Sequence, residues 1–244
     1  MSKLGLLGKN ISYSFSKAYF TEKFENEGLP HIYENFDIDS ISDLPTILKN
    51  NPDLVGLNVT IPYKEQVMQF LDEIDLEAKE IKAVNTITIS LSGKLKGYNT
   101  DVYGFKNSLE PLLRPNHTNA LILGTGGASK AVSYTLKKLD INFEFVSRSN
   151  KLAKYTYSEL TEEIINAHPI IINCSPVGTH PNVNECPDIP YDGITSDHLL
   201  FDLIYNPLQT KFLICGELKG ATITNGLKML ELQAEKAWEI WNLI

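Results

Sequence analysis

The chain has 244 residues, 43% of them hydrophobic, and a net charge of −8, which is enough for one large domain or two ordinary ones with a sizeable core. The acidic balance and the lack of any basic run argue against a surface built for nucleic-acid phosphates or anionic lipid. Cys174, Cys186 and Cys215 are odd in number and stand in no CxxC or Cys/His spacing, so neither a disulfide framework nor a metal site is expected.

The N-terminal stretch MSKLGLLGKNIS holds no long apolar run, and no segment approaches the roughly 18 apolar residues of a membrane span. The sequence thus predicts a cytoplasmic protein. Through the first hundred residues, the runs LGLLG, HIYENFDI, DLVGLNVTI and VNTITI alternate with amphipathic stretches at 16–27, 40–50 and 62–73. That rhythm predicts an α/β fold. SYSFS puts Ser14 and Ser16 just beyond the first strand. In GLNVTIPYKEQV (56–67) a β-branched run stops at Pro62 and gives way to the helical spacing of Val67, Phe70, Leu71 and Ile74, which predicts Lys64 in a helix's first turn. A helix N-terminus is already positive, so this cation is either simply solvated or has a chemical task.

Asn58 and Thr60 share that segment with Lys64, AVNTI adds Asn85 and Thr86, and GYNTDVYGF adds Asn99, Thr100 and Asp101. In an α/β sheet such strand-end positions gather at the carboxyl edge, where ligands bind. Singly, each has a structural explanation: an N-cap for Ser16 or Thr100, a turn for Asn85, a first helical turn for Asp101. Together they predict a pocket of hydroxyls and amides suited to a polyhydroxylated substrate.

The pattern changes across 101–118. After RPNHTN come ALILG, a glycine turn, a helix, FEFVSR, another helix and PIIINCS; HLLFDLIY supplies a later strand, and an amphipathic helix from about 226 to 243 closes the chain. Strands this apolar are buried on both faces, as in a parallel sheet. ALILGTGGASKAV sets Gly124, Thr125, Gly126, Gly127 and Ala128 between strand and helix, where glycines bring backbone N–H groups against a pyrophosphate. Ser129 replaces the third glycine of the usual fingerprint, and a ligand-free strand–turn–helix shares the pattern. Arg148 ends the next strand where an NAD-binding domain carries an acid. An arginine there pairs with a 2′-phosphate and stacks on adenine, which predicts NADP; an arginine merely exposed at a strand end is the competing reading. Ser147, Ser149 and Lys151 are further candidates for phosphate contacts.

Taken together these segments resemble the shikimate dehydrogenases, NADP-dependent enzymes of aromatic amino-acid biosynthesis. The matches are the SxS of the first loop, NVTxPxK, VNT, the NTDxxG of Asn99 to Gly104, GxGGAS, SPVG at 175–178, the Tyr205 segment, and NGLxMLxxQAxxAW at the end. Two departures stand out: Tyr13-Ser14-Phe15-Ser16-Lys17 replaces His-Ser-x-Ser-Pro, and Ser147-Arg148-Ser149 replaces Asn-Arg-Thr. The resemblance implies a substrate domain (1–100 with 227–244), a Rossmann-type NADP domain (101–226) and a cleft between them. It implies that Ser14, Ser16, Thr60, Asn85 and Gln233 hold the substrate, with Tyr205 near its carboxylate and Gly226 near the nicotinamide. Lys64 and Asp101 become the catalytic acid–base pair, in a monomer or homodimer. The alternatives are a quinate/shikimate dehydrogenase of relaxed choice and, in a different class, a non-catalytic NADP-sensing regulator.

Overall fold

The computed structural model describes residues 2–12, 14–149 and 151–242, so Tyr13 of the first-loop motif lies outside the described residues. The chain is mixed α/β and divides into two compact units, Met1–Thr100 with Ala234–Ile244 and Asp101–Gln233.

In the first unit the apolar runs become β1 (Lys3–Gly8), β2 (Ile32–Asp37) and β3 (Leu54–Val59), with α1 (Phe15–Asn26) and α2 (Leu44–Asn50) between them. β1 is parallel to both neighbours. The short strand β4 (Glu73–Ile74) and α3 (Leu76–Ile81) follow, then β5 (Thr86–Ile89) and β6 (Leu95–Tyr98) as an antiparallel hairpin, giving the order β2-β1-β3-β5-β6-β4. Because β5 runs against β3 and β6 against β5, the amino end of β5 shares an edge with the carboxyl ends of β3 and β6. Residues 58–60, 85–86 and 99–100 thus meet at one edge from opposite chain directions.

The helix expected over 62–73 does not form. Turns and coil occupy 61–65, a 3-10 helix covers Gln66–Phe70, and Ile74 enters β4. Strand pairing overrides the helical spacing here: the Asp72 N–H donates to Leu95 O at 3.0 Å, and its Oδ2 accepts from the Leu95 N–H at 2.8 Å. Lys64 therefore stands in a turn before a 3-10 segment, and the helix-dipole argument for it lapses.

The second unit opens with α4 (Asp101–Leu109) and continues through β7 (Asn119–Leu123), α5 (Gly127–Lys138), β8 (Asn142–Ser147), β9 (Tyr155–Thr156), α6 (Glu162–Asn166), β10 (Ile170–Asn173), β11 (Leu199–Asp202), α7 (Lys211–Leu218) and β12 (Thr222–Thr224). All its strands pair in parallel, in the order β12-β11-β10-β7-β8-β9. This is the Rossmann-type arrangement, with the order reversing about β7. Alternate side chains pack on opposite faces: Ala120, Ile122, Ile170, Ile172 and Phe201 on one, Leu121, Leu123, Ile171 and Leu200 on the other. The helix expected between FEFVSR and PIIINCS shrinks to the five-residue α6.

The closing helix α8 (Leu227–Asn242) contributes to both cores. Met229 packs with Phe105 and Phe201 of the second unit, whereas Ala234, Ala237 and Trp241 pack with Phe20 and Phe24 of the first. The break between units accordingly falls after Gln233, later than the expected 226.

Trp241 is 7% exposed, its ring lies 5.4 Å from Phe20, and its Nε1–H donates to Ile87 O at 3.0 Å. Trp241→Ala is expected to cost about 3–5 kcal/mol, from the cavity and an orphaned carbonyl. Urea unfolding followed by far-UV circular dichroism checks this; a loss under about 0.5 kcal/mol, the surface scale, would mean that the tryptophan does not anchor the helix.

Candidate active site

Small polar residues at the first unit's sheet edge are bound to one another. Ser14, with extended backbone, N-caps α1 by accepting the Lys17 N–H at 3.3 Å. The expected capping role of Ser16 thus falls to Ser14, because Ser16 is already inside the helix. The Tyr33 hydroxyl, in β2, donates to Asn58 Oδ1 at 2.7 Å. Burial pushes the Tyr33 phenol well above its ordinary pKa, so it remains a protonated donor. Asn58 Nδ2 donates to Thr86 Oγ1 at 3.2 Å and Asn85 O at 3.3 Å. Asn85 Oδ1 then accepts three times: from Thr86 Oγ1 at 3.1 Å, from the Thr100 N–H at 2.7 Å and from Thr100 Oγ1 at 3.2 Å. The hydroxyl of Thr100, expected to cap a helix, serves Asn85 instead.

Thr60 closes β3 and begins the turn that carries the lysine, its N–H donating to Leu7 O and its carbonyl accepting the Tyr63 N–H, both at 2.9 Å. The Lys64 carbonyl accepts the Val84 N–H at 2.8 Å, which ties this turn to the stretch entering Asn85. Lys64 is half-buried. Asp101 is the first residue of α4 and belongs to the second unit, 4% exposed.

In the second unit β7 ends at a glycine turn. Gly124 has φ +110°, a conformation that side chains strain to adopt, and an added Cβ would stand 3.3 Å from the Cys174–Ser175 peptide. At Gly126 and Gly127 nothing lies within 4 Å of an added Cβ, so the fold itself does not require glycine there. Bare backbone beside open space is what close approach of a phosphate demands. Gly126 N-caps the 12-residue α5 without any side-chain bond, and Gly127 and Ala128 form its first turn.

A cleft of about 690 Å³ opens at this point, lined by residues 124–126, 147–148, 157, 174–177 and 186–188. Of the predicted cofactor residues, Gly124, Thr125, Gly126, Ser147 and Arg148 line it. Ser149 does not: its N–H donates to Ser147 Oγ at 3.2 Å and its carbonyl accepts the Ser147 hydroxyl. Lys151 is exposed and outside the lining. Tyr157, Ser175 and Asp188 line the cleft without having been singled out. Tyr157 sits among phenols and thiols that sequence cannot rank, and only the sheet order brings it across from Arg148. Burial raises its pKa most, with the Arg148 charge and a hydrogen bond to Ser175 opposing that. Among the described residues no group of three or more His, Cys, Asp or Glu side chains is placed to hold a metal ion.

Tyr205 follows the carboxyl end of β11 and Gly226 that of its neighbour β12, in adjoining loops. The Gly226 N–H donates to Ile204 O at 3.1 Å, and a Cβ on Gly226 would meet Leu203 O at 2.1 Å, so only glycine permits this approach. Burial raises the Tyr205 phenol. Gln233 lies on α8 over Gly104 of α4.

A buried polar chain connects the cleft with the Tyr205 loop. Ser175 Oγ donates to Asn173 Oδ1 at 2.7 Å, and Asn173 Nδ2 donates to Asp202 Oδ1 at 3.0 Å. Asp202 also accepts the Ile204 N–H at 3.0 Å and the Thr210 hydroxyl at 2.6 Å. Its donors favour the carboxylate, yet burial outweighs them and pushes its pKa up to about 6.

Residues 6–87 match the family model described as the shikimate dehydrogenase substrate binding domain. A shikimate dehydrogenase (NADP(+)) of Methanococcus maripaludis is 39% identical over 257 residues, 98% of this chain and 90% of the relative. The shikimate 5-dehydrogenase of Thermus thermophilus, solved with NADP(H) and shikimate, matches with a TM-score of 0.88 at 30% identity, over 100% of this chain and 94% of that one. A quinate dehydrogenase of Corynebacterium glutamicum, solved with NAD, has the same TM-score of 0.88 at 25% identity, again over 100% and 94%.

The raised Asp202 pKa has a stability consequence. A folded-state value above the unfolded one contributes stability that is complete below the ordinary value of 3.8 and is lost as pH rises through about 6. Asp202→Asn lacks this titration, so its stability relative to the parent should improve by about 2 kcal/mol between pH 4 and 7. Urea unfolding of both proteins across that range checks the sign; an unchanged difference would mean that Asp202 titrates as an ordinary carboxyl.

Proposed function

The chain belongs to the shikimate dehydrogenase family and is an NADP-dependent oxidoreductase; we propose that it reversibly reduces 3-dehydroshikimate to shikimate in aromatic amino-acid biosynthesis, with Lys64 and Asp101 as its acid–base pair. The observation that carries the reading is the cleft at the end of β7, where ligand-accessible glycine backbone and Arg148 line one space. The guanidinium suits the 2′-phosphate that distinguishes NADP from NAD. The bare turn and the uncapped N-terminus of α5 suit the pyrophosphate.

Bound NADPH supplies the hydride. The chain's own residues do the rest. As a ketone is reduced its oxygen gains negative charge, and the Lys64 ammonium stabilises that charge and delivers the proton. Asp101 orients the ammonium, and the two share one proton as a unit. Ser14, Ser16, Thr60, Asn85 and Gln233 hold the ring substituents, Tyr205 serves the carboxylate, and Gly226 leaves room beside the nicotinamide. Ser14 accepts a backbone N–H and so keeps its own proton for a substrate oxygen.

The likeness to a quinate dehydrogenase solved with NAD favours one second reading, a dehydrogenase that takes both polyols. A kcat/KM matrix over shikimate, quinate, NADP and NAD separates the two. Faster oxidation of quinate with NAD than of shikimate with NADP would overturn the first reading. An enzyme with no turnover of any pair would be the NADP-sensing regulator.

Arg148→Ala should weaken NADP by about 1.5–3 kcal/mol, the range of a charge-assisted hydrogen bond, and barely change NAD. Equal losses in both titrations would deny the phosphate contact.

Lys64→Ala should lower kcat by roughly 10²–10⁴-fold, the scale of a positioned acid–base group, and disturb shikimate binding much less. Steady-state kinetics decide; full turnover by the folded variant would make Lys64 an ordinary solvated lysine.

A further inference from the structure

The cleft beside the glycine turn is lined from the carboxyl ends of β7, β8 and β10, from Tyr157 beyond β9 and from the loop at 186–188; none of the described lining residues belongs to β11 or β12. In a sheet whose order reverses at a central strand, a dinucleotide lies across the reversal, and the end of the strand after the glycine-turn helix meets its adenosine ribose. With Arg148 at the end of β8, the cleft serves the adenosine half. Its glycine backbone and its guanidinium answer the charged groups there. The base is flat and largely apolar, and it calls for a flat apolar face. Tyr157 is the one aromatic side chain among the described lining residues.

Register puts that ring beside the arginine. β9 runs parallel to β8 with Val146 opposite Tyr155 and Ser147 opposite Thr156, so the next residue on each strand, Arg148 and Tyr157, leaves the sheet edge at the same level. The chain turns at once into a 3-10 helix, Tyr157–Glu159, whose N-cap Thr156 donates its N–H and its hydroxyl to Glu159 Oε2 at 2.7 and 2.8 Å. These bonds fix the backbone that carries the ring. Tyr157 is half-buried and packs against the core that holds Leu160 and Ile171, so part of the side chain rests on the sheet and the rest faces the cleft. Burial keeps the phenol protonated, and a neutral ring sets no charge against the phosphates. We infer that Tyr157 is a binding residue for the adenine base of the cofactor: its ring supplies stacking that is the same for NADP and NAD, while Arg148 reads the 2′-phosphate. The inference rests on the cofactor reading of the cleft.

Calorimetric titration with NADP, NAD and adenosine 2′,5′-bisphosphate reads this without turnover. Tyr157→Ala should weaken all three by a common factor of about five- to 150-fold, the scale of one base stacked on an aromatic ring, and leave shikimate binding within about twofold. Tyr157→Phe keeps the ring and should stay within about threefold of the parent for every ligand. A loss in Tyr157→Phe as large as that in Tyr157→Ala, or a loss confined to the two ligands that carry the 2′-phosphate, would make the hydroxyl the contact and overturn the inference. So would unchanged nucleotide affinity in Tyr157→Ala, or a shikimate loss equal to the nucleotide loss, the mark of a ring that only packs. Arg148→Ala separates this failure from that of the cofactor reading. If it weakens NADP and Tyr157→Ala does not, the Tyr157 inference alone fails; if neither variant weakens NADP, the cleft is not the cofactor's and both fail. Should Tyr157→Ala not fold, Tyr157→Leu keeps an apolar side chain without a π face, and unchanged NADP and NAD affinities there overturn the inference equally.

Discussion

Three donors converge on one amide oxygen, Asn85 Oδ1, and the first unit's polar edge depends on that convergence. Thr86 reaches it from the start of β5, and Thr100 reaches it twice from just beyond β6. These strands run in opposite directions, so the side chain of Asn85 does what a continuous strand cannot and locks two chain directions into one corner. All three residues are buried, and a buried donor left without a partner costs about 1–3 kcal/mol. The corner therefore holds together or fails together. Its rigidity extends to the Lys64 turn, because the strand entry at Val84 donates to the Lys64 carbonyl.

The second unit has an equivalent device built on a different group. Asp202 collects donors from Asn173, Thr210 and the backbone of Ile204, joining β10, β11 and the approach to α7. An amide and a carboxylate are not interchangeable in these roles. A carboxylate has lone pairs for every donor around it and nothing to donate, so it can bind loops together and stop there. An amide that spends its oxygen on the scaffold still has two N–H groups. Asparagine thus stands where the proposed substrate is met, and aspartate stands where backbone must be held behind the cleft.

The elements readable from sequence were those fixed by local pattern. The doubly buried strands, the glycine turn and the arginine at the end of β8 follow from period, φ requirements and charge, none of which needs a partner segment. The helix assigned across 62–73 had equally good spacing and did not form, because Asp72 and Leu95 pair at the sheet edge; spacing carries no information about a strand that arrives from elsewhere. Tyr33 was passed over for a related reason. In HIYENFDI it looks like any inward aromatic, and its hydroxyl acquires meaning only once β1, β2 and β3 are laid side by side. Tyr157 and Ser175 are opposite each other only because β10 and β8 flank β7. Serine 149 shows the reverse case, a residue right for the motif whose backbone bonds to Ser147 turn it away from the cleft lining.

Moving Lys64 out of a helix changes the electrostatic logic of the proposed pair. With Lys64 in a turn ahead of a 3-10 segment, no macrodipole opposes the ammonium. The α-helix N-terminus belongs instead to Asp101, the first residue of the nine-residue α4, and there the positive end of the helix favours a negative side chain. The field that was expected to work against the cation thus works for the anion.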